Sequence, residues 1–192
     1  MRVPTLLLIL LSAFAATDIY ATTWTVTNID VSNDGVCDDN CSLPEAIGAT
    51  ANGDTVVFSP LFNSPQTIYF YFGEINIQHS ITINGPGRSL LTLSGGGISF
   101  GRIFRLASGI SVTLRDMKIA NGCACGWEED GIQPYGGAIY NQAQSLRLEN
   151  MSFRDNYAYT RSRPYGDFWM GYGGAIYGGN QVTVINCEFV NL

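Results

Sequence analysis

Three segments of this chain align without a gap: Ser111-Val-Thr-Leu-Arg-Asp-Met-Lys-Ile119, Ser145-Leu-Arg-Leu-Glu-Asn-Met-Ser-Phe153 and Gln181-Val-Thr-Val-Ile-Asn-Cys-Glu-Phe189. Each opens on alternating apolar and polar residues, the pattern of a half-buried strand. Each breaks phase at the same place, Asp116, Asn150 or Asn186, and resumes on Met117/Ile119, Met151/Phe153 or Cys187/Phe189. A break in a fixed position marks a corner, with a new strand starting on another wall. The segments start 34 and 36 residues apart, and Gly136-Gly-Ala-Ile-Tyr140 and Gly173-Gly-Ala-Ile-Tyr177 precede the last two. Three short strands per turn, all running one way, predict an all-β fold: a right-handed parallel β-helix, a three-stranded solenoid of five or six rungs. Asp116, Asn150 and Asn186 then stack as a structural ladder rather than a catalytic set. Asn150-Met-Ser152 is formally a glycosylation sequon, but a ladder position argues against its use.

Weaker rungs precede these at Thr55–Phe58, Thr67–Phe70, Ser80–Ile83, Leu90–Leu93 and Ile103–Leu106. The single helix signal is Ser42-Leu-Pro-Glu45, a capping box with Ser42 at the N-cap, Glu45 at the third helical position and Pro44 in the first turn. Ala46, Ile47 and Ala51 give this helix one apolar side, and Asn52-Gly53 ends it. A solenoid exposes apolar interior and unpaired backbone at its first rung, so a short N-terminal capping helix has a clear task there. Residues 22–53 are therefore expected to form the cap and residues 54–192 the β-helix, with the sequence stopping in mid-unit at Leu192. A truncated C-terminus, with an anchor beyond residue 192, is the corresponding expectation.

Arg2, an apolar run from Leu6 to Ala16 and the small residue Ala21 spell a secretory signal peptide over residues 1–21. Cleavage after Ala21 is the first choice and cleavage after Ala15 the second. An apolar run of this length falls short of the roughly 20 residues needed to cross a bilayer, and no transmembrane segment is expected elsewhere. Export permits disulfides. Cys37 and Cys41 flank a tight loop and are expected to be bridged, whereas Cys123 and Cys125 look too close to pair comfortably with each other. Cys187, in an apolar strand, reads as a buried free thiol.

The stretch Val36-Cys-Asp-Asp-Asn-Cys-Ser-Leu-Pro-Glu-Ala-Ile47 resembles the signature of the CSLREA-domain family of secreted bacterial β-helix proteins. Gly53-Asp-Thr-Val-Val-Phe58 and Ser80-Ile-Thr-Ile-Asn-Gly-Pro-Gly87 resemble that family's first rungs, with Pro44 standing where Arg is usual. The GGAIY units and Phe153-Arg-Asp-Asn156 are similar to the GGA(I/L) and FxxN repeats of polymorphic outer membrane proteins. The resemblance covers most of residues 22–192. It implies an exported protein, extracellular or on the outer cell surface, of adhesin or autotransporter-passenger type, and carries over no catalytic residue.

Only 14% of the residues are charged, against about 25% in ordinary domains, and the net charge is −6. That balance excludes a basic nucleic-acid footprint. A polysaccharide hydrolase needs paired carboxylates across adjacent rungs, but Asp116 has Asn150 and Asn186 as its neighbours. His79 is the only histidine and sits in a turn. The acidic turns Asp34/Asp38/Asp39 and Glu128-Glu129-Asp130 lack the spacing of a calcium loop. No cofactor or metal is expected, and the leading reading is non-enzymatic. The alternative is a polysaccharide-active, pectin lyase-like enzyme whose catalytic rungs are missing or degenerate. Two insertions, Gly122–Tyr135 and Tyr157–Tyr172, leave the solenoid at one corner and are expected to stack on one face. They carry the candidate ligand-binding residues Trp127, Tyr135, Arg161, Arg163, Tyr165 and Trp169, a chemistry suited to a glycan or a host or neighbour surface protein. The same rings packing on one another is an equal reading.

Overall fold

A computed structural model describes residues 20–71, 73–96, 101–127, 133–161 and 168–191, with the side chains of 127, 161 and 168–170 outside the description. The chain begins with β1 (Thr23–Val26) and α1 (Leu43–Gly48). The first turn then runs β2 (Thr55–Phe58), β3 (Gln66–Tyr69), β4 (Ile75–Ile77), and the second β5 (Thr82–Asn84), β6 (Leu91–Ser94), β7 (Phe104–Leu106). The third is β8 (Ser111–Arg115), β9 (Lys118–Ala120), an inserted β10 (Cys123–Trp127), and β11 (Ile139–Asn141). The fourth is β12 (Ser145–Glu149), β13 (Ser152–Arg154), the inserted β14 (Tyr157–Arg161) and β15 (Phe168–Met170), and β16 (Ile176–Gly178). β17 (Gln181–Ile185) and β18 (Glu188–Val190) start one more.

Strands one turn apart pair in parallel and build three walls, ordered β1-β2-β5-β8-β12-β17, β3-β6-β9-β13-β18 and β4-β7-β11-β16. The parallel β-helix is as expected from the repeats. The longest wall counts six strands, but only four turns place a strand on all three walls, fewer than the five or six expected. The difference arises because β1 belongs to the cap and β17–β18 begin an incomplete turn. No described helix is long and apolar enough to cross a membrane.

Register turns the alternation in the sequence into columns. One wall aligns Val56, Ile83, Leu114, Leu148 and Val184, the next Ile68, Leu93, Ile119, Phe153 and Phe189, and the third Ile75, Phe104, Ile139 and Ile176. Leu114, Leu148, Leu93, Ile119, Phe153, Phe104 and Ile139 are fully buried, and each such side chain contributes ~1.5–3 kcal/mol through its burial. The phase break is a left-handed residue: φ is +58° at Asp116, +53° at Asn150 and +50° at Asn186. Asn and Asp tolerate that conformation better than other residues with a Cβ, so the corner dictates the residue type. The stacked corners then bond to each other. Asn150 Nδ2 donates to Asp116 Oδ1 at 3.0 Å, and Asn186 Nδ2 to Asn150 Oδ1 at 2.7 Å.

A second ladder, absent from the sequence reading, stands at the next corner. Asn121, Asp155 and Asn191 have φ of +53°, +51° and +51°. Asn191 Nδ2 donates to Asp155 Oδ1 at 3.0 Å, and Asn121 Nδ2 to Ser94 Oγ at 3.3 Å. Beside it, the fully buried Asn156 reaches back one turn, accepting from Gly122 N at 2.9 Å and donating to Ile119 O at 3.1 Å.

The cap forms where the capping box places it. Glu45 N donates to Ser42 Oγ at 3.3 Å, and Ser42 N to Glu45 Oε2 at 2.7 Å. The helix is shorter than expected, closing at Gly48 with Ala49 as C-cap, so Ala51 lies beyond it and is exposed. Two bonds set this end: Thr50 Oγ1 turns back to Ile47 O at 2.7 Å, and Asp54 Oδ2 draws in Ala51 N at 2.9 Å. Cys37 and Cys41 are bridged, with their Cα atoms 4.5 Å apart. Cys123 and Cys125 are bridged too, correcting the expectation that they stand too close to pair. Residues two apart on a strand face the same side, and here their Cα atoms approach to 5.1 Å. Cys187 is a free thiol, as expected, but half-buried rather than buried, because among the described residues β17 and β18 are edge strands.

Candidate functional site

The two insertions do leave the solenoid at one corner, but they begin as strands. β10 continues from β9 and β14 from β13, and the two pair in parallel with Cys123 opposite Tyr157 and Trp127 opposite Arg161. β15 folds back antiparallel on β14, placing Trp169 opposite Thr160. Trp127, Arg161 and Trp169 are thus neighbours as backbone positions, while their side chains, and Arg163 and Tyr165 altogether, lie outside the described residues. So does the acidic run Glu128-Glu129-Asp130.

Tyr135 is the candidate whose own side chain lies among the described residues. A single parallel bridge pairs it with Tyr172, closing the bases of both insertions. Its ring stacks on Tyr177 at 4.4 Å between centroids with a 16° tilt, and lies 5.8 Å from Tyr140 and 5.9 Å from Tyr172. Tyr140 and Tyr177 are adjacent in register on β11 and β16. The four rings form a ridge on the outer surface of the third wall. Self-packing and exposure therefore coexist: the facing planes of Tyr135 and Tyr177 are covered by each other, while Tyr172 is 53% exposed and presents its ring to solvent.

Register carries the ridge on into a basic pair. Asn76, Arg105, Tyr140 and Tyr177 occupy one outward column across four rungs. Arg105 Cζ sits 5.0 Å and Arg102 Cζ 5.3 Å from the centre of the Tyr140 ring, within cation–π reach. The two arginines differ in what else they do. Arg102 is buried; it bonds Glu74, donates from Nε to Gly136 O at 3.1 Å and from Nη2 to Gln133 O at 2.8 Å. It pins the return of the first insertion to the solenoid, and so positions Tyr135. Arg105 has one hydrogen bond among the described residues, a long one from Nη1 to Glu74 Oε1 at 3.4 Å, and its side chain is 39% exposed.

Sequence reasoning found Tyr135 but missed Tyr140, Tyr177, Arg102 and Arg105. The signal was present in the GGAIY units, where the alternation that turns Ile139 and Ile176 inward turns Tyr140 and Tyr177 outward one residue later. At the first corner ladder, Asp116 Oδ1 accepts from Asn150, Asn150 is engaged through both its amide atoms, and Ser152 is 1% exposed. The sequon's amide nitrogen is already committed. Among the described residues, no group of three or more His, Cys, Asp or Glu is placed to hold a metal ion. Comparison of the chain with protein-family models, with curated proteins and with solved structures finds no match.

Proposed function

We propose that this chain is an exported, non-enzymatic β-helix protein of the extracellular space or outer cell surface, whose tyrosine ridge and stacked insertions bind a glycan or a surface protein. The observation that carries the reading is the Tyr135–Tyr177 ridge continued by Arg105 along one column. Tyrosine supplies large, rigid contact area with a polar tip at low conformational cost, and Arg adds a charged fork. The signal-peptide pattern of residues 1–21 supports export, and so does the Cys37–Cys41 bridge, since disulfides persist in oxidising compartments. Membership of the CSLREA-domain family, with an adhesin or passenger role, belongs to the same proposal. The test is binding of the folded chain to arrays of glycans and of surface proteins, repeated with Tyr135→Ala and Tyr177→Ala. The expected outcome is a ligand whose affinity falls at least tenfold in both variants, a loss of about 1.4 kcal/mol, with circular dichroism unchanged. Binding that ignores both substitutions would sink the reading.

A further inference from the structure

We infer that the cavity beside Arg105 is a subsite for a terminal sugar carrying a carboxylate. The inference rests on the glycan arm of the function proposed above and narrows it to one class of ligand. An open cavity of about 380 Å³ lies at the ends of β4, β7 and β11, lined by Asn76, Gln78, Arg105, Ser108 and Gln142 together with Ala107 and the buried Ile77. Its size falls in the range of small-molecule sites, roughly 300–1,000 Å³, and suits one or two sugar rings rather than a folded partner. The lining matches the same scale. Three side-chain amides and a hydroxyl offer paired donors and acceptors to ring hydroxyls.

The charge decides which sugar. The lining holds a guanidinium and no carboxylate. Behind it, Arg102 and Arg105 share the single carboxylate of Glu74, so this described cluster carries one positive charge in excess within a chain of net charge −6. Arg102 is spent on Glu74, Gly136 and Gln133, whereas Arg105, which lines the cavity, makes a single long hydrogen bond to Glu74 among the described residues. A planar guanidinium with free donors takes a carboxylate in a two-point contact. The ring of Tyr140 lies 5.0 Å from that guanidinium's Cζ, within cation–π reach. The remaining sugars of the ligand would follow the column from Asn76 and Arg105 toward Tyr140, Tyr177 and Tyr172, advancing about one rung spacing, ~4.8 Å, per residue.

The test is titration calorimetry of the folded chain with 3′-sialyllactose, with lactose, and with lactose bearing a terminal glucuronate. Binding of either acidic trisaccharide at least tenfold tighter than lactose is the expected result, and the preferred one of the two names the source of the carboxylate. Arg105→Gln is expected to abolish the preference for the acidic ligands, with circular dichroism showing the fold retained. Gln142→Ala, at the far wall of the cavity, is expected to weaken the acidic ligands several-fold with the preference retained. Equal affinity for lactose and the acidic ligands, or a preference that survives Arg105→Gln, overturns the inference while the tyrosine ridge stands as a neutral glycan site. Absence of binding to all three overturns it as well, and leaves the ridge to be judged by its Tyr135 and Tyr177 variants on surface proteins.

Discussion

At the residue scale, the corners of this solenoid are held by amides that serve two purposes at once. Asn150 adopts a backbone conformation that costs most residues with a Cβ ~1–2 kcal/mol, and its side chain links the corners above and below. The two contributions separate by substitution. Asn150→Ala loses the ladder bonds and incurs the left-handed strain, so its expected cost is roughly 2–3 kcal/mol. Asn150→Gly keeps the conformation and loses only the ladder, for an expected cost of ~1 kcal/mol. Urea unfolding of the two variants measures both, and equal midpoints would mean that the strain is negligible at this corner. The Asx position was legible because a corner breaks the alternation of a strand. The second ladder, Asn121/Asp155/Asn191, is harder to read because the strands before it, β9, β13 and β18, are only three residues long, too short to set up an alternation whose break would mark a corner.

At the scale of elements, the cap depends on two buried carboxylates that work as acceptors for backbone N–H groups. Glu45 accepts from Ser42 N and from Asp34 N, at 2.7 and 3.0 Å. Those bonds hold its carboxyl below the ordinary value of 4.5, first the one from Ser42, then the one from Asp34, against an opposing effect of burial. Asp54 gathers Ala51 N, Thr22 N and the Trp24 indole N–H, tying the end of α1 to β1. Its carboxyl is lowered from 3.8, mainly by the bond from Ala51, again against burial. A carboxylate lowered on folding stabilises the native state fully above its unfolded pKa, and that stability is lost as pH falls through the lowered native value. The cap is therefore expected to hold unchanged from neutral pH down to the ordinary carboxylate range and to loosen below it, with Trp24 fluorescence as the readout. Asp54→Asn should flatten that acid limb, and an unaltered acid limb would show that these bonds do not govern the cap. The capping box was readable from Ser42 and Glu45 alone, since it is local. The early end of α1 was not, because Asp54 captures Ala51 through a contact with Thr22 and Trp24 about thirty residues away in sequence. Distance in sequence likewise hid the basic pair, as nothing in the segment around Arg102 or Arg105 announces that Glu74 lies across from both.

At the scale of the whole molecule, each turn rests on its neighbours, and stability is a sum of turns and the interfaces between them. The two ends differ sharply in how much neighbour they have. At one end α1 and β1 cover the first full turn, and Leu43, Ala46 and Val26 are buried against it. At the other, Val184 is 48% and Phe189 41% exposed, although they continue the columns in which Leu148 and Phe153 are fully buried. Phe189 still stacks on Phe153 at 4.9 Å, so β17 and β18 are held from one side only. Local opening is least costly where few apolar contacts must break. Hydrogen exchange of the 192-residue chain should therefore be fastest in β17 and β18, intermediate in β12 and β13, and slowest in β5, β6, β8 and β9. The ridge rides on this gradient, since Tyr140 belongs to a turn covered on both sides and Tyr177 to the last complete one. A ligand spanning Arg105, Tyr140 and Tyr177 would bridge three turns and is expected to slow exchange in β16 more than in β7. Uniform protection from β5 to β18 without ligand would instead show that the last turn is covered in solution, with a second copy of the chain as the first candidate to examine by its sedimentation.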